Sequence, residues 1–258
     1  MSSLTLFPHA KVNLGLFIKG KRADGYHLLE TLLFPVPDLT DHMILTLRKT
    51  PGCELTILGI ELEGDLSDNL CVRAYRLLQQ DYPDLPGVSI QLTKHIPAGA
   101  GLGGGSSDAA FTLKGLNQLF DLGISDETLA KKSAVLGADV PFFVYGTPQL
   151  AKGIGTELAP VSLAFPYTLK LYPQPIHSST IAAYKALDYT QFNPHRDLAS
   201  ILNQPISTWK DTLDNDLEVP VFRMYPVLRE IKSQIYAEGA LYAAMSGSGS
   251  CMFGIFEA

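Results

Sequence analysis

The segment PAGAGLGGGSSDAA, residues 97–110, constrains the fold and chemistry of this chain more than any other. Five of the seven residues from 99 to 105 are glycines, and two serines then open a run with helical apolar spacing. Glycine permits positive φ and lets the backbone approach a ligand closely. A helix that begins behind such a loop presents free N–H groups and the positive end of its dipole. The segment therefore predicts a phosphate-binding loop, in preference to a plain flexible turn.

Two known phosphate loops contain similar glycines. A Walker A loop needs Gly-Lys-Ser/Thr, whereas Gly105 is followed directly by Ser106, so a P-loop nucleoside triphosphatase is excluded. Residues 99–104 satisfy the dinucleotide pattern GxGxxG, but crowded glycines satisfy many patterns by chance. That pattern also expects the loop to leave a parallel strand directly, whereas residues 93–98 intervene and no parallel β–α–β unit is expected upstream. A dinucleotide-binding oxidoreductase is the weaker alternative.

Composition narrows the class of protein. The 258 residues are 46% hydrophobic with a net charge of −6, which fits a globular protein of one large or two closely packed domains. No basic stripe is present, so a nucleic-acid partner is not expected, and a bound anion must be held by backbone amides and a few cations. Three widely spaced cysteines exclude a disulfide framework and favour a reducing compartment. The N-terminus lacks a signal-peptide pattern, so a cytoplasmic location is predicted.

The uncharged run 239–256 is long enough to suggest a membrane span. Serine and glycine alternate from Ser246 to Ser250, however, which predicts a strand, a glycine turn and a second strand, and no membrane partner. This second glycine cluster is typical of a hairpin turn. Its hydroxyls and amides are also candidates to face the first glycine loop.

Hydrophobic periodicity predicts an α+β chain in two parts, 1–155 with the glycine loop and 156–258. Helices are predicted at about 69–80 with Asp68 as N-cap, 106–120, 126–136, 179–187 and 225–238, the last capped by Gly239. Strands are predicted at about 4–18, 31–36, 43–47, 54–58, 88–92, 142–145, 167–172, 241–245 and 251–256.

Two charged residues are candidates for chemistry at a phosphate site. Asp139 lies in the apolar segment LGADVPFF and could take or orient a hydroxyl proton, or it could simply stabilise the turn at Gly137. Lys11 and Asn13 lie on the polar face of the first predicted strand. A lysine near a carboxylate keeps it ionised and stabilises a forming alkoxide, although a solvated lysine on an edge strand is the ordinary alternative.

A polar turn, residues 19–30, carries Tyr26 and His27. A tyrosine can stack on a nucleobase, and an imidazole can hydrogen-bond the edge of one. On composition alone, an ordinary hairpin turn with incidental aromatic residues is the preferred interpretation. The other histidines show no ligand spacing, so no metal site in the protein is predicted.

Together these segments resemble the GHMP kinases. The resemblance runs from AKVNLGLFIKGKRADGYHLLET through PAGAGLGGGSSDAA and LGADVPFFVYG to SGSGSCMFG, nearly the whole chain. It implies an α+β two-domain kinase, with an N-terminal domain like domain 2 of ribosomal protein S5 and a ferredoxin-like C-terminal domain. It also implies ATP as co-substrate, accompanied by Mg²⁺, and a small-molecule alcohol as acceptor.

Within that family, AKVNL at 10–14 and ADGYH at 23–27 resemble the enzymes that phosphorylate the 2-hydroxyl of 4-diphosphocytidyl-2-C-methyl-D-erythritol in the non-mevalonate isoprenoid pathway. A GHMP kinase for another alcohol is the alternative. By motif match the catalytic residues would be Lys11 and Asp139. The ATP-binding residues would be Pro97, Gly99, Gly101, Leu102, Gly103, Gly104, Gly105, Ser106 and Ser107. The substrate-binding residues would be Asn13, Tyr26, His27, Thr180 and Tyr184.

Overall fold

The computed structural model describes residues 2–61 and 65–258. The chain divides into two compact units, each assembled from separate stretches of sequence. Unit 1 comprises Met1–Ala10, Pro37–Ala98 and Gly103–Gly146, and unit 2 comprises Lys11–Val36, Gly99–Leu102 and Thr147–Ala258. The predicted boundary near residue 155 assumes two continuous stretches and stays a prediction.

The described residues form the following elements. The strands are β1 (Ser3–Leu6), β2 (His9–Lys21), β3 (His27–Thr40), β4 (His42–Arg48), β5 (Cys53–Gly59), β6 (Gly87–Lys94), β7 (Gln149–Lys152), β8 (Glu157–Pro160), β9 (Tyr167–Tyr172), β10 (Tyr242–Met245) and β11 (Met252–Glu257). The α-helices are α1 (Leu70–Gln79), α2 (Gly104–Leu119), α3 (Asp126–Ser133), α4 (Val140–Tyr145), α5 (Thr180–Lys185), α6 (Leu198–Leu202), α7 (Trp209–Thr212), α8 (Glu218–Met224) and α9 (Val227–Ala237).

Unit 1 is built on a sheet in the order β1-β4-β6-β5. The strand predicted at 4–18 is in fact two strands, β1 and β2, interrupted at Phe7 and Pro8. Helix α2 packs so closely on the sheet that a Cβ on Gly115 would lie 2.4 Å from the Leu45 side chain and 2.6 Å from that of Leu6. The expectation that no parallel β–α–β unit precedes the glycine loop is wrong, since β5 and β6 are parallel and α1 connects them.

Two helix starts differ from the predicted ones. Asn69 caps α1, because its side-chain oxygen accepts the N–H of Cys71, whereas the predicted cap Asp68 lies in the preceding 3-10 turn. Helix α2 begins at Gly104, two residues before the predicted start, and Gly103 precedes it with φ 72°. Glycine adopts that left-handed conformation without the Cβ penalty, so the loop ends abruptly and the helix begins inside the glycine run.

The strand predicted at 142–145 is wrong, because these residues belong to helix α4. Proline in the first helical turn has a suitable φ and needs no N–H partner there, and Pro141 occupies that position. Gly146 ends the helix in a left-handed conformation with φ 67°. The helix buries apolar residues on every side, so its sequence shows neither strand nor helix periodicity.

Unit 2 contains two sheets, in the orders β2-β3-β7-β8 and β10-β11-β9. Its hydrophobic core joins Leu16 and Ile18 of β2 to apolar residues of α5, α8, α9, β10 and β11. Gly239, with φ 95°, follows α9 as predicted. The run 239–256 forms the antiparallel pair β10–β11 and its turn. Among the described residues, no helix is both long and apolar enough to cross a membrane.

Candidate active site

Lys11 lies in β2 at the edge of its sheet, yet only 4% of its surface is exposed. The alternative of a solvated edge lysine is therefore wrong. Its Nζ donates to Asn13 Oδ1 at 2.6 Å, and Asn13 Nδ2 donates to Thr31 Oγ1 at 3.0 Å. The Thr31 hydroxyl donates to the Gly15 carbonyl at 2.6 Å. This series of hydrogen bonds fixes the orientation of the Asn13 amide, so that its oxygen faces the Lys11 ammonium group.

The second glycine cluster, residues 246–250, packs against this pair. A Cβ on Gly247 would lie 3.3 Å from Asn13 Oδ1 and 3.6 Å from Lys11 Nζ. The buried amide of Asn215 donates at 2.8 Å to the carbonyls of both Met245 and Gly247. The cluster is thus a hairpin turn, as its composition predicts, and it also borders the buried lysine. No local pattern in the sequence indicates that the Asn215 amide would bind the carbonyls of this turn.

Residues 99–102 of the first glycine loop belong to the same unit as Lys11. The Lys11 N–H donates to the Leu102 carbonyl at 3.0 Å, and Ser246 Oγ donates to the Gly101 carbonyl at 2.8 Å. Gly101 has φ 76°, and a Cβ there would lie 2.0 Å from the Ser246 carbonyl oxygen. The backbones of the two glycine clusters therefore approach each other so closely that a side chain at position 101 would not fit.

The remainder of the first glycine loop lies in unit 1. Gly104 and Gly105 form the first turn of α2, whose N–H groups have no partner within the helix. The 16-residue helix adds the positive end of its dipole. Ser107 is fully buried, and its Oγ has no hydrogen-bond partner among the described residues. The arrangement is a helix N-terminus reached through glycines, which suits the binding of phosphate oxygens.

Asp139 directly precedes α4 in unit 1 and is partly buried. A capping aspartate would accept an N–H of the first helical turn, but the Asp139 carboxylate makes no such bond to α4. Asp139 therefore precedes α4 without capping it through its side chain. The residues that follow it, Val140, Pro141 and Phe142, are buried.

The predicted base-binding residues are only partly brought together. The His27 ring lies 4.7 Å from that of Tyr184 and is stacked at 5.9 Å on that of Tyr189, with an interplanar angle of 5°. Tyr26 is 63% exposed. Burial, helped by Lys21, lowers the pKa of His27. The imidazole is therefore neutral at pH 7, with one nitrogen that donates and one that accepts a hydrogen bond.

Thr180 lies at the start of α5 and connects this region to the second glycine cluster. Its Oγ1 lies 2.7 Å from Ser248 Oγ, and Ser178 Oγ donates to the Ser248 carbonyl at 2.6 Å. Sequence reasoning missed Ser178 and Tyr189, and it included Ser248 only as part of the second glycine cluster. Only the aromatic character of Tyr189, five residues after Tyr184, was available as a signal.

Comparison with known proteins identifies the family. The family model described as "GHMP kinases N terminal domain" matches residues 69–147, and that described as "GHMP kinases C terminal" matches residues 197–258. A 4-diphosphocytidyl-2-C-methyl-D-erythritol kinase of Bacteroides fragilis is 47% identical over 257 residues, which is 97% of this chain and 91% of that protein. The protein of the same name from Porphyromonas gingivalis is 43% identical over 98% of this chain and 92% of its own length.

Solved structures agree with these matches. A crystal structure of 4-(cytidine 5'-diphospho)-2C-methyl-D-erythritol kinase aligns with a TM-score of 0.85 and 35% identity, covering 98% of this chain and 90% of that one. Homoserine kinase from Cytophaga hutchinsonii, at 19% identity and a TM-score of 0.72, covers 100% of this chain and 86% of its own and shows the shared fold alone. The dinucleotide-binding alternative does not fit these matches. With both family models matched and relatives aligned along almost its whole length, the chain belongs to the GHMP kinases, and the predicted two-domain kinase fold is confirmed.

Proposed function

We propose that this protein transfers the γ-phosphoryl group of ATP to the 2-hydroxyl of 4-diphosphocytidyl-2-C-methyl-D-erythritol, in the non-mevalonate isoprenoid pathway. The observation that carries the proposal is the buried Lys11 ammonium, bonded to Asn13 and bordered by Gly247. Lys11 lies between residues 99–102 and 246–250, and an ammonium group beside these glycine segments is suited to bind groups that carry phosphate charge. The names of the full-length relatives supply the acceptor.

ATP phosphates would be held by the backbone of residues 97–107 and by the first turn of α2. Glycines there leave room for phosphate oxygens, and the helix dipole favours their negative charge. Within residues 2–61 and 65–258, no three His, Cys, Asp or Glu side chains are grouped to hold a metal. This fits Mg²⁺, which commonly binds through substrate phosphates and water with one or two protein ligands. When bound, Mg²⁺ would offset negative charge on the phosphates.

We assign the reacting roles to Asp139 and Lys11. The acceptor oxygen forms a bond to the γ-phosphorus, while the bond from that phosphorus to the β–γ bridging oxygen breaks and ADP leaves. Asp139 accepts the proton of the acceptor hydroxyl. Lys11 stabilises negative charge at the reacting oxygen.

The cytidine end of the acceptor is assigned to Asn13, Tyr26, His27, Thr180 and Tyr184. A neutral imidazole has one nitrogen that donates and one that accepts, so it can hydrogen-bond either the amine or the ring nitrogen at the edge of a cytosine. Tyr184 and the exposed Tyr26 ring supply stacking surfaces. Tyr189 packs on His27 and would hold its ring in place.

The partners we propose are these two small molecules alone, with no nucleic acid and no membrane. We also propose that the protein acts in the cytoplasm. Its three cysteines are unpaired, which suits a reducing compartment.

Replacing His27 by alanine tests the assignment of the cytidine end. We expect His27→Ala to raise the KM for the cytidine substrate by about tenfold or more, because a base-edge hydrogen bond and a stacking contact are lost. The KM for ATP should change by less than about twofold. His195→Ala, which removes an exposed histidine elsewhere in unit 2, is the matched control. An equal increase in both KM values would contradict the assignment.

Product formation tests the function itself. Purified protein with Mg-ATP should release ADP with 4-diphosphocytidyl-2-C-methyl-D-erythritol and not with mevalonate, homoserine or galactose. Mass spectrometry of the product should show one added phosphoryl group, and phosphorus NMR should place it on the 2-oxygen. Turnover with a different alcohol would keep the kinase assignment and overturn the acceptor. No turnover from folded protein that binds ATP would overturn the whole proposal for these acceptors.

A further inference from the structure

We propose that Lys94, Asp41 and Asp108 form a buried clamp that holds the two ends of the first glycine loop and thereby positions it for ATP. The inference rests on the proposed binding of ATP by that loop. The three residues are positioning residues, since none is assigned a contact with either substrate.

The clamp lies inside unit 1, where three separate elements meet. Lys94 is the last residue of β6, Asp41 lies between β3 and β4, and Asp108 is in the second turn of α2. Their exposed fractions are 2%, 0% and 3%. The Lys94 ammonium donates to Asp41 Oδ2 and, at 2.6 Å, to Asp108 Oδ2. A single ammonium group thus joins two carboxylates that are far apart in the sequence.

Asp41 holds the residues that lead into the loop. Its Oδ1 accepts the backbone N–H of His95 at 2.6 Å and that of Ile96 at 2.9 Å. Pro97, the first residue of the loop, follows immediately. Because Asp41 accepts from two consecutive amides as well as from Lys94, the direction in which the chain leaves β6 is fixed.

Asp108 holds the other end of the loop. It lies four residues after Gly104, the first residue of α2, and its bond to Lys94 ties the start of that helix to the end of β6. The two ends also touch, since a Cβ on Gly104 would lie 2.9 Å from the Ile96 side chain and 3.3 Å from Lys94 Nζ. The residues before and after the loop are therefore cross-linked through one lysine.

The charge in the clamp is unbalanced, with two carboxylates around one ammonium group. Burial, together with Asp41, raises the pKa of Asp108 to about 7 despite the Lys94 ammonium group, while the two carboxylates raise that of Lys94. Asp108 Oδ1 is buried without a hydrogen-bond partner among the described residues. One acceptor oxygen at position 108 thus suffices to hold Lys94, and the second negative charge is dispensable. An asparagine offers that oxygen, whereas an alanine does not.

A buried ion pair can also be purely structural, and then its loss lowers stability without a specific effect on the loop. Asp108→Ala and Asp108→Asn separate these cases, because both remove the charge and only the first removes the acceptor. Lys94→Met removes both ion pairs of the clamp. Lys232→Met is the matched control, since it leaves the buried Glu218 carboxylate of unit 2 without its ammonium partner.

The first measurement is amide hydrogen exchange over residues 95–107 in the nucleotide-free protein. We expect exchange there to be about tenfold faster in Asp108→Ala than in wild type, and close to wild type in Asp108→Asn. Thermal unfolding of each variant shows whether faster exchange is confined to this segment or reflects a loss of overall stability. Unchanged exchange in Asp108→Ala, or equal acceleration in both Asp108 variants, would overturn the clamp. This readout requires neither turnover nor bound nucleotide, so it stands even if the proposed function fails.

The second measurement is the Kd of Mg-ATP by calorimetry. Loss of one charged hydrogen bond should weaken binding by about tenfold in Asp108→Ala, with Asp108→Asn within about twofold of wild type. Lys94→Met should weaken it further, and Lys232→Met should lower the unfolding temperature without changing the Kd. If Lys94→Met does not fold, the comparison of the two Asp108 variants is sufficient to test the clamp. Tight ATP binding by Asp108→Ala would overturn the inference and leave the kinase assignment intact.

Discussion

Replacement of Asp139 by asparagine should lower turnover by about 10² or more, while Mg-ATP and the cytidine substrate still bind. The asparagine amide has the shape of the carboxylate but cannot accept the hydroxyl proton. Asp139 directly precedes α4 and is partly buried. A 10²-fold loss corresponds to about 2.7 kcal/mol of transition-state stabilisation. Single-turnover kinetics with saturating substrates measure the chemical step directly.

The matched control for this variant is Asp126→Asn, which removes an exposed carboxylate from the first turn of α3 in the same unit. Its turnover should remain within about twofold of wild type. Phosphoryl transfer proceeds through a loose transition state that demands little early proton transfer. Near-normal turnover in Asp139→Asn would therefore mean that no side chain accepts the proton at this position, and Asp139 would be removed from the mechanism.

The parts of this molecule that could be predicted from the sequence are those determined by local geometry. The glycine run at 99–105 requires positive φ and a helix behind it, and both requirements lie within one short segment. The hairpin around residues 246–250 was predictable for the same reason. Strands with a half-buried alternating pattern, such as β9, were also found, because their side-chain period alone identifies them.

The features that sequence patterns left open, missed or assigned wrongly depend largely on contacts distant in sequence. Lys11 has the pattern of a solvated strand residue, but it is buried by residues more than 200 positions away, at 246–250. Asn215 reaches the same cluster from a segment with no pattern of its own. The apolar run of α4 resembles a short buried strand, since period cannot be measured over six residues. Such features can be identified only from the tertiary structure.

Replacement of Lys11 by methionine should reduce turnover by about 10²–10³, the range found when one preorganised donor to a developing negative charge is removed. Methionine keeps much of the apolar stem and removes the ammonium group alone. Binding of the cytidine moiety should weaken less than turnover falls, because His27 and Tyr184 retain their own ring contact while Asn13 loses one hydrogen-bond donor. The ratio of kcat in the variant and wild type, measured with both substrates saturating, gives the effect of the charge.

Methionine at position 11 also leaves Asn13 Oδ1 without the donor at 2.6 Å, so the loss of turnover could arise from a disturbed polar chain. Thr31→Val separates the two causes. Valine has nearly the shape of threonine, and it breaks the 3.0 Å bond to Asn13 Nδ2 without removing any charge. If the ammonium charge is what matters, Thr31→Val loses less than about tenfold in kcat. If both variants lose the same fraction of kcat, the hydrogen bonds among Lys11, Asn13 and Thr31 serve only to keep the local geometry. Lys11 would then have no electrostatic role in the transfer.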